Sequence, residues 1–144
     1  MAKKLFTTAV TVTGGREGTA VSKDGNFNMA IAMPGTQRAK EMPEATNPEQ
    51  LFAAGYAACF ESALQNVSKL DKTPIDTQVI GNVSLLKDEQ QGYSLEIKLE
   101  VKAAGTDQST LEKLVHKAHE MCPYSKAVHG NIEVELEATA VDQL

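Results

Sequence analysis

Apolar and polar positions alternate along residues 4–13, with Leu5, Thr7, Ala9 and Thr11 opposite Phe6, Thr8, Val10 and Val12. This period of two, in a run rich in β-branched residues, predicts a strand. A glycine-rich turn at 14–18, a short strand at 19–22, an Asp-Gly hairpin loop at 23–26 and a strand at 27–32 complete a small meander. Residues 33–46, with two prolines, a glycine and several charges, read as the longest loop. A helix start follows: Asn47 can cap, Pro48 suits the first helical position, and Gln50 stands three past the cap. The helix predicted from Leu51 to about Lys69 is apolar on every side in its first half, which predicts burial all round there. Its small residues Ala53, Ala54, Gly55, Ala57 and Ala58 would admit other backbones closely.

Residues 77–86 and 93–103 alternate again around a polar loop at 87–92 and form a second hairpin. Residues 107–121 are amphipathic, with Leu111, Leu114, Val115 and Ala118 on one stripe. Pro123 biases Cys122 away from helical geometry and ends that helix. A short turn then leads to a last strand at 131–140. Strands, helix, strands, helix, strand is the order of an α+β fold, in one domain over residues 1–144.

Composition narrows the function classes. At 144 residues, 42% apolar and 23% charged, the chain has the make-up of a folded protein with a real core. A net charge of -5 argues against nucleic acid as a partner. The most continuous apolar run, Leu51 to Phe60, is far short of the roughly 20 residues a membrane span needs. No secretory leader is apparent, so the expected location is cytoplasmic, with no membrane partner. Two cysteines cannot staple a secreted scaffold, but in a reducing compartment they suffice for one redox pair.

Two readings of Cys59 stand side by side. In the run Ala57-Ala58-Cys59-Phe60 it suits a small buried hydrophobe, with a thiol pKa raised by desolvation. As a nucleophile it would need a cation from elsewhere. Cys122 falls where the backbone leaves a helix and can present a side chain. Arg16, set among three glycines, is either a solvated turn residue or an arginine that tight backbone geometry aims. Glu49 either complements the helix dipole or fixes a guanidinium plane by a bidentate pair. His116, His119 and Cys122 share a helix face, yet no dense ligand cluster of zinc spacing occurs, and no metal is expected. Phosphate loops, dinucleotide fingerprints and the nucleophile elbow are absent.

Three motifs together carry a resemblance. The stretch Ala45-Thr46-Asn47-Pro48-Glu49-Gln50-Leu51-Phe52-Ala53-Ala54-Gly55-Tyr56-Ala57-Ala58-Cys59-Phe60 resembles the first-cysteine motif of the organic hydroperoxide resistance proteins, in the OsmC/Ohr superfamily. Cys122-Pro123-Tyr124-Ser125-Lys126-Ala127, followed by Gly130-Asn131-Ile132, resembles the second-cysteine motif, and Gly14-Gly15-Arg16-Glu17-Gly18 the N-terminal arginine turn. The likeness runs through essentially the whole chain in order and spacing. It implies an OsmC/Ohr-like fold, antiparallel sheets around two central long helices, in an intertwined homodimer. It also implies a thiol peroxidase that reduces organic hydroperoxides, with Cys59 peroxidatic, Cys122 resolving, and Arg16 and Glu49 activating. No cofactor would be bound, and dihydrolipoamide or a lipoylated protein would be the reducing co-substrate.

Leu51, Phe52, Tyr56, Phe60 and Met121 are the expected apolar contacts for the alkyl group of the substrate. Glu49 and Cys59 are ten residues apart, about 15 Å along a straight helix axis. One arginine can hardly hold both, so the Arg16–Glu49 pair and the Cys59 it serves are expected to come partly from different subunits. Two other functions fit the same residues: an osmotically inducible paralogue with broader peroxide use, or a non-catalytic ligand- or metal-binding module.

Overall fold

The computed structural model describes residues 1–144, which divide into two compact units, Met1–Leu51 and Phe52–Leu144. In the first, β1 (Val10–Thr13), β2 (Thr19–Ser22) and β3 (Asn28–Ala30) form an antiparallel sheet in chain order. β1 is shorter than its alternation predicts. Residues 4–9 are exposed and lie outside the ladder, because β2 reaches only to Ser22 before the chain reverses at Lys23–Asn26. The expected loop at 33–46 holds a short helix, α1 (Gln37–Glu41), capped by Thr36, whose hydroxyl accepts the Ala39 N–H at 3.2 Å. Five residues are too few for a helical period to show in the sequence.

Helix α2 (Pro48–Leu70) begins as its sequence predicts: the Asn47 Oδ1 accepts the Gln50 N–H at 2.8 Å, with Pro48 in the first helical position. The Gln50 side chain turns to the Thr46 hydroxyl, at 2.6 Å. The helix is not buried all round. Ala54 and Ala58 are exposed, so one flank of its apolar half faces outward.

In the second unit, β4 (Asp76–Asp88) and β5 (Gly92–Ala104) form an antiparallel hairpin longer than expected, its turn reduced to residues 89–91. α3 (Gln108–Met121) starts at Asp107, whose carboxylate accepts the Thr110 N–H at 2.7 Å. The predicted turn after Cys122 is a six-residue helix, α4 (Pro123–Val128), and the last strand, β6 (Glu135–Val141), begins four residues later than predicted. β6 pairs with β5 in parallel, so this sheet is mixed, with strand order β4-β5-β6. The intervening helices provide the crossover that a parallel pair requires.

The core lies here. One face of β5, Ile97, Leu99, Val101 and Ala103, meets the α2 stripe of Tyr56, Phe60, Leu64 and Val67 and the α3 stripe of Leu111, Leu114, Val115 and Ala118. The sheet contributes its side chains with period two and the helices theirs with periods of three and four, as two amphipathic layers must. Each fully buried Leu or Phe contributes roughly 1.5–3 kcal/mol of hydrophobic free energy. Cys122, one turn past Ala118, continues the α3 stripe and is itself fully buried. No helix is long and apolar enough to cross a membrane.

Candidate active site

Arg16 sits in a single 3₁₀ turn, Gly15–Glu17, closed by a Glu17 N–H to Gly14 carbonyl bond of 3.1 Å. Gly14 has φ 83°, a left-handed conformation that side chains resist, and a Cβ there would lie 2.8 Å from the Gly18 Cα. The turn therefore has to be glycine-rich, and its tightness aims the arginine. Arg16 Nη2 and Nη1 donate to the two Glu49 carboxylate oxygens at 2.7 and 2.9 Å, and Nη1 also donates to the Met33 Sδ at 3.1 Å. The fork is bidentate, the geometry that fixes a guanidinium plane. Hydrogen bonding from Arg16 holds the Glu49 carboxyl below its ordinary value, against the opposing effect of burial.

Beside this pair lies a cavity of about 510 Å³, apolar apart from Arg16 and lined by Val10, Val12, Ala20, Phe27, Ile31 and Leu51. Of the expected substrate contacts, Leu51 alone lines it. Val10 and Val12 were visible to sequence reasoning as one face of an alternating strand. Phe27, Ile31 and Met33 carry no signal of their own, because the meander and the following loop bring them in.

The second unit holds the cysteines. Both are free thiols, Cys59 partly exposed on α2 and Cys122 fully buried. Cys122 has the extended backbone, φ -66° and ψ 123°, that Pro123 imposes, and it both ends α3 and begins α4. The Cys122 thiol donates to the Cys59 Sγ at 3.7 Å, so folding brings the two thiols into contact. Burial pushes the Cys59 thiol above its ordinary value. The Tyr124 backbone N–H, donated to that sulfur, pulls the other way, while the Cys122 thiol adds to the rise.

An aromatic group packs around them. The Phe52, Tyr56 and Tyr124 rings stand 5.6 to 6.3 Å apart, and the absence of a side chain on Gly55 leaves room for the Tyr124 hydroxyl, which would lie 2.5 Å from a Cβ there. Tyr56 and Phe60 are fully buried in the core, so neither offers a surface to a ligand, contrary to expectation; their stripe on α2 faces β5 and α3. Phe52 is partly buried against the same core, and Met121, the last residue of α3, is exposed. The buried Tyr56 hydroxyl lies 2.7 Å from the Ser125 hydroxyl, which in turn lies 2.8 Å from the His119 Nδ1. Burial pushes the Tyr56 phenol up and the His119 imidazole down, so both are neutral at neutral pH. Ser125 belongs to the second-cysteine motif, but its contact with Tyr56 crosses 69 residues of chain and its contact with His119 spans the break between α3 and α4, so neither shows in local patterning. The His119 ring thus turns to Ser125, and no group of three or more potential ligand side chains converges anywhere.

A family model described as OsmC-like protein matches residues 35–137. The organic hydroperoxide resistance protein OhrA of Bacillus subtilis (strain 168) is 57% identical over 138 residues, 95% of this chain and 98% of that protein. Among solved structures, that of OhrB from Bacillus subtilis superposes with a TM-score of 0.88 at 47% identity, covering 94% of this chain and all of the other. A putative organic hydroperoxide resistance protein from Vibrio cholerae, solved with captopril bound in one of its active sites, has a TM-score of 0.83 at 34% identity. That match covers 99% of this chain and 95% of the other.

Proposed function

Because the chain belongs to the organic hydroperoxide resistance proteins of the OsmC-like family, we propose that it is a cysteine-based peroxidase that reduces organic hydroperoxides to alcohols. The names of its relatives support a role in organic hydroperoxide resistance. The observation that carries the chemistry is the thiol pair, with one sulfur partly accessible, one buried, and 3.7 Å between them.

In this reading the Cys59 thiolate attacks the outer peroxide oxygen. The O–O bond breaks, the alkoxide takes a proton and leaves as the alcohol, and Cys59 becomes a sulfenic acid. The Cys122 thiol then displaces water from that sulfur, closing a Cys59–Cys122 disulfide before further oxidation. A dihydrolipoyl dithiol, free or on a lipoylated protein, reopens the disulfide by exchange and leaves as the cyclic lipoyl disulfide. Because Cys122 is fully buried, the dithiol attacks at Cys59. A related structure that holds captopril, itself a thiol, in an active site favours such access.

Burial keeps Cys59 protonated, so turnover needs a cation, and Arg16 is the one that the fold prepares by bidentate pairing with Glu49. α2 runs unbroken from Pro48 to Leu70, which keeps Glu49 and Cys59 about 15 Å apart along its axis. The Arg16–Glu49 pair therefore serves the Cys59 of the partner subunit in a homodimer. The exposed Ala54 and Ala58 flank of α2, and the exposed Leu5, Phe6, Val10 and Val12, supply apolar surface for that association. The 510 Å³ cavity beside Arg16 accommodates the alkyl group.

One equivalent of cumene hydroperoxide tests the reading. Mass spectrometry should find a loss of two hydrogens, located to the Cys59 and Cys122 peptides. An unchanged mass with unconsumed peroxide would instead make the cysteines a structural pair in a binding module.

A further inference from the structure

We propose that Met33 is an oxidation site, at which an organic hydroperoxide converts the thioether to a sulfoxide that slows the enzyme by engaging Arg16. The inference rests on the peroxidase reading above, which brings hydroperoxide to Arg16.

Three features of the structure converge on this methionine. Its sulfur accepts a hydrogen bond from Arg16 Nη1 at 3.1 Å, and the same nitrogen donates to Glu49 at 2.9 Å. Its backbone is fixed, since the Met33 carbonyl accepts both the Thr36 hydroxyl at 2.6 Å and the Thr36 N–H at 3.3 Å. The residue is only partly buried, which leaves small solutes a route toward it.

A thioether has two lone pairs, and the guanidinium engages one of them. The other attacks the outer oxygen of the hydroperoxide. An S–O bond forms, the O–O bond breaks, and the peroxide proton passes to the departing alkoxide, giving an alcohol and a sulfoxide. Sulfur loses two electrons and the peroxide gains them, with no other reactant. The Arg16 guanidinium stabilises the charge developing on the alkoxide, as a preorganised donor does. A thioether is a weak acceptor and a sulfoxide oxygen a strong one, so the product holds the guanidinium more tightly than the starting residue did. The charge that a thiolate requires is then partly engaged elsewhere. Methionine sulfoxide is reducible, so the effect is reversible.

The test uses the full chain in two forms. In Cys59→Ser, where no thiol turnover competes, cumene hydroperoxide is added and oxygen uptake at each methionine is read by peptide mass spectrometry. Met33 should oxidise about tenfold faster than the exposed Met121, and Arg16→Ala in the same background should abolish that lead. Equal or slower oxidation of Met33 overturns the proposal. In the wild-type chain, excess hydroperoxide followed by dithiothreitol should leave a slowed peroxidase that methionine sulfoxide reductase restores, and Met33→Leu should not respond to the reductase. A Met33 sulfoxide with an unchanged rate also overturns the proposal. The first arm does not use the thiols, so a missing Cys59–Cys122 disulfide would count against the peroxidase reading alone.

Discussion

The two units solve opposite electrostatic problems. In the first, a permanent charge is kept ionised at a half-exposed site: the Arg16 side chain is 38% exposed, and Glu49 meets it with two short hydrogen bonds. In the second, an ionisable group is kept neutral, because Cys59 touches an apolar core and a second thiol, and burial outweighs the single helping N–H of Tyr124. Charge and thiol are thus each stable in their own surroundings. The proposed peroxidase reaction requires that such a charge and such a thiol act together.

That contrast breaks most visibly at the sulfurs. Cys59→Ser should abolish hydroperoxide consumption in a dihydrolipoamide-coupled assay, whereas Cys122→Ser should consume one equivalent and stop, leaving a sulfenic acid that dimedone traps. Next in size, Arg16→Ala should lower the second-order rate with hydroperoxide by about a hundredfold, the order lost with one preorganised electrostatic contact. The same change should cost less than about 1 kcal/mol in denaturant unfolding, since ion pairs this exposed stabilise little. A large loss of stability with little loss of rate would reverse the roles given to the two units.

Ser125→Ala probes the other side of the comparison. It strands the buried Tyr56 hydroxyl and should cost about 1–3 kcal/mol of stability, read as a lowered unfolding midpoint. The smallest effect concerns acid. The Glu49 carboxyl is held below its ordinary 4.5, so its pairing stabilises the fold above that value and fades as pH falls through the depressed one. Below pH 4.5 the wild-type rate should show an acid limb that Glu49→Gln lacks.

Much of the fold was legible because its signals are local. The α3 stripe of Leu111, Leu114, Val115 and Ala118 is buried residue for residue, and the Asn47 cap and the Pro123 break stand where their chemistry demands. What failed depended on neighbours. Residues 4–9 alternate like a strand but join no ladder, and α1 and α4 are too short for a period to register. Tyr56 and Phe60 read as pocket residues because an apolar helix does not announce which flank faces the core.

The sequence by itself determined the element order, the cysteine count, and the glycines and proline that fix the backbone at Arg16 and Cys122. Those are properties of single residues and their immediate neighbours, governed by sterics and periodicity. Only the tertiary structure decided that the two sulfurs come to 3.7 Å, that Glu49 grips Arg16 with both oxygens, and that Met33 joins them. Those contacts join segments far apart in the chain, and packing alone sets the distances between them.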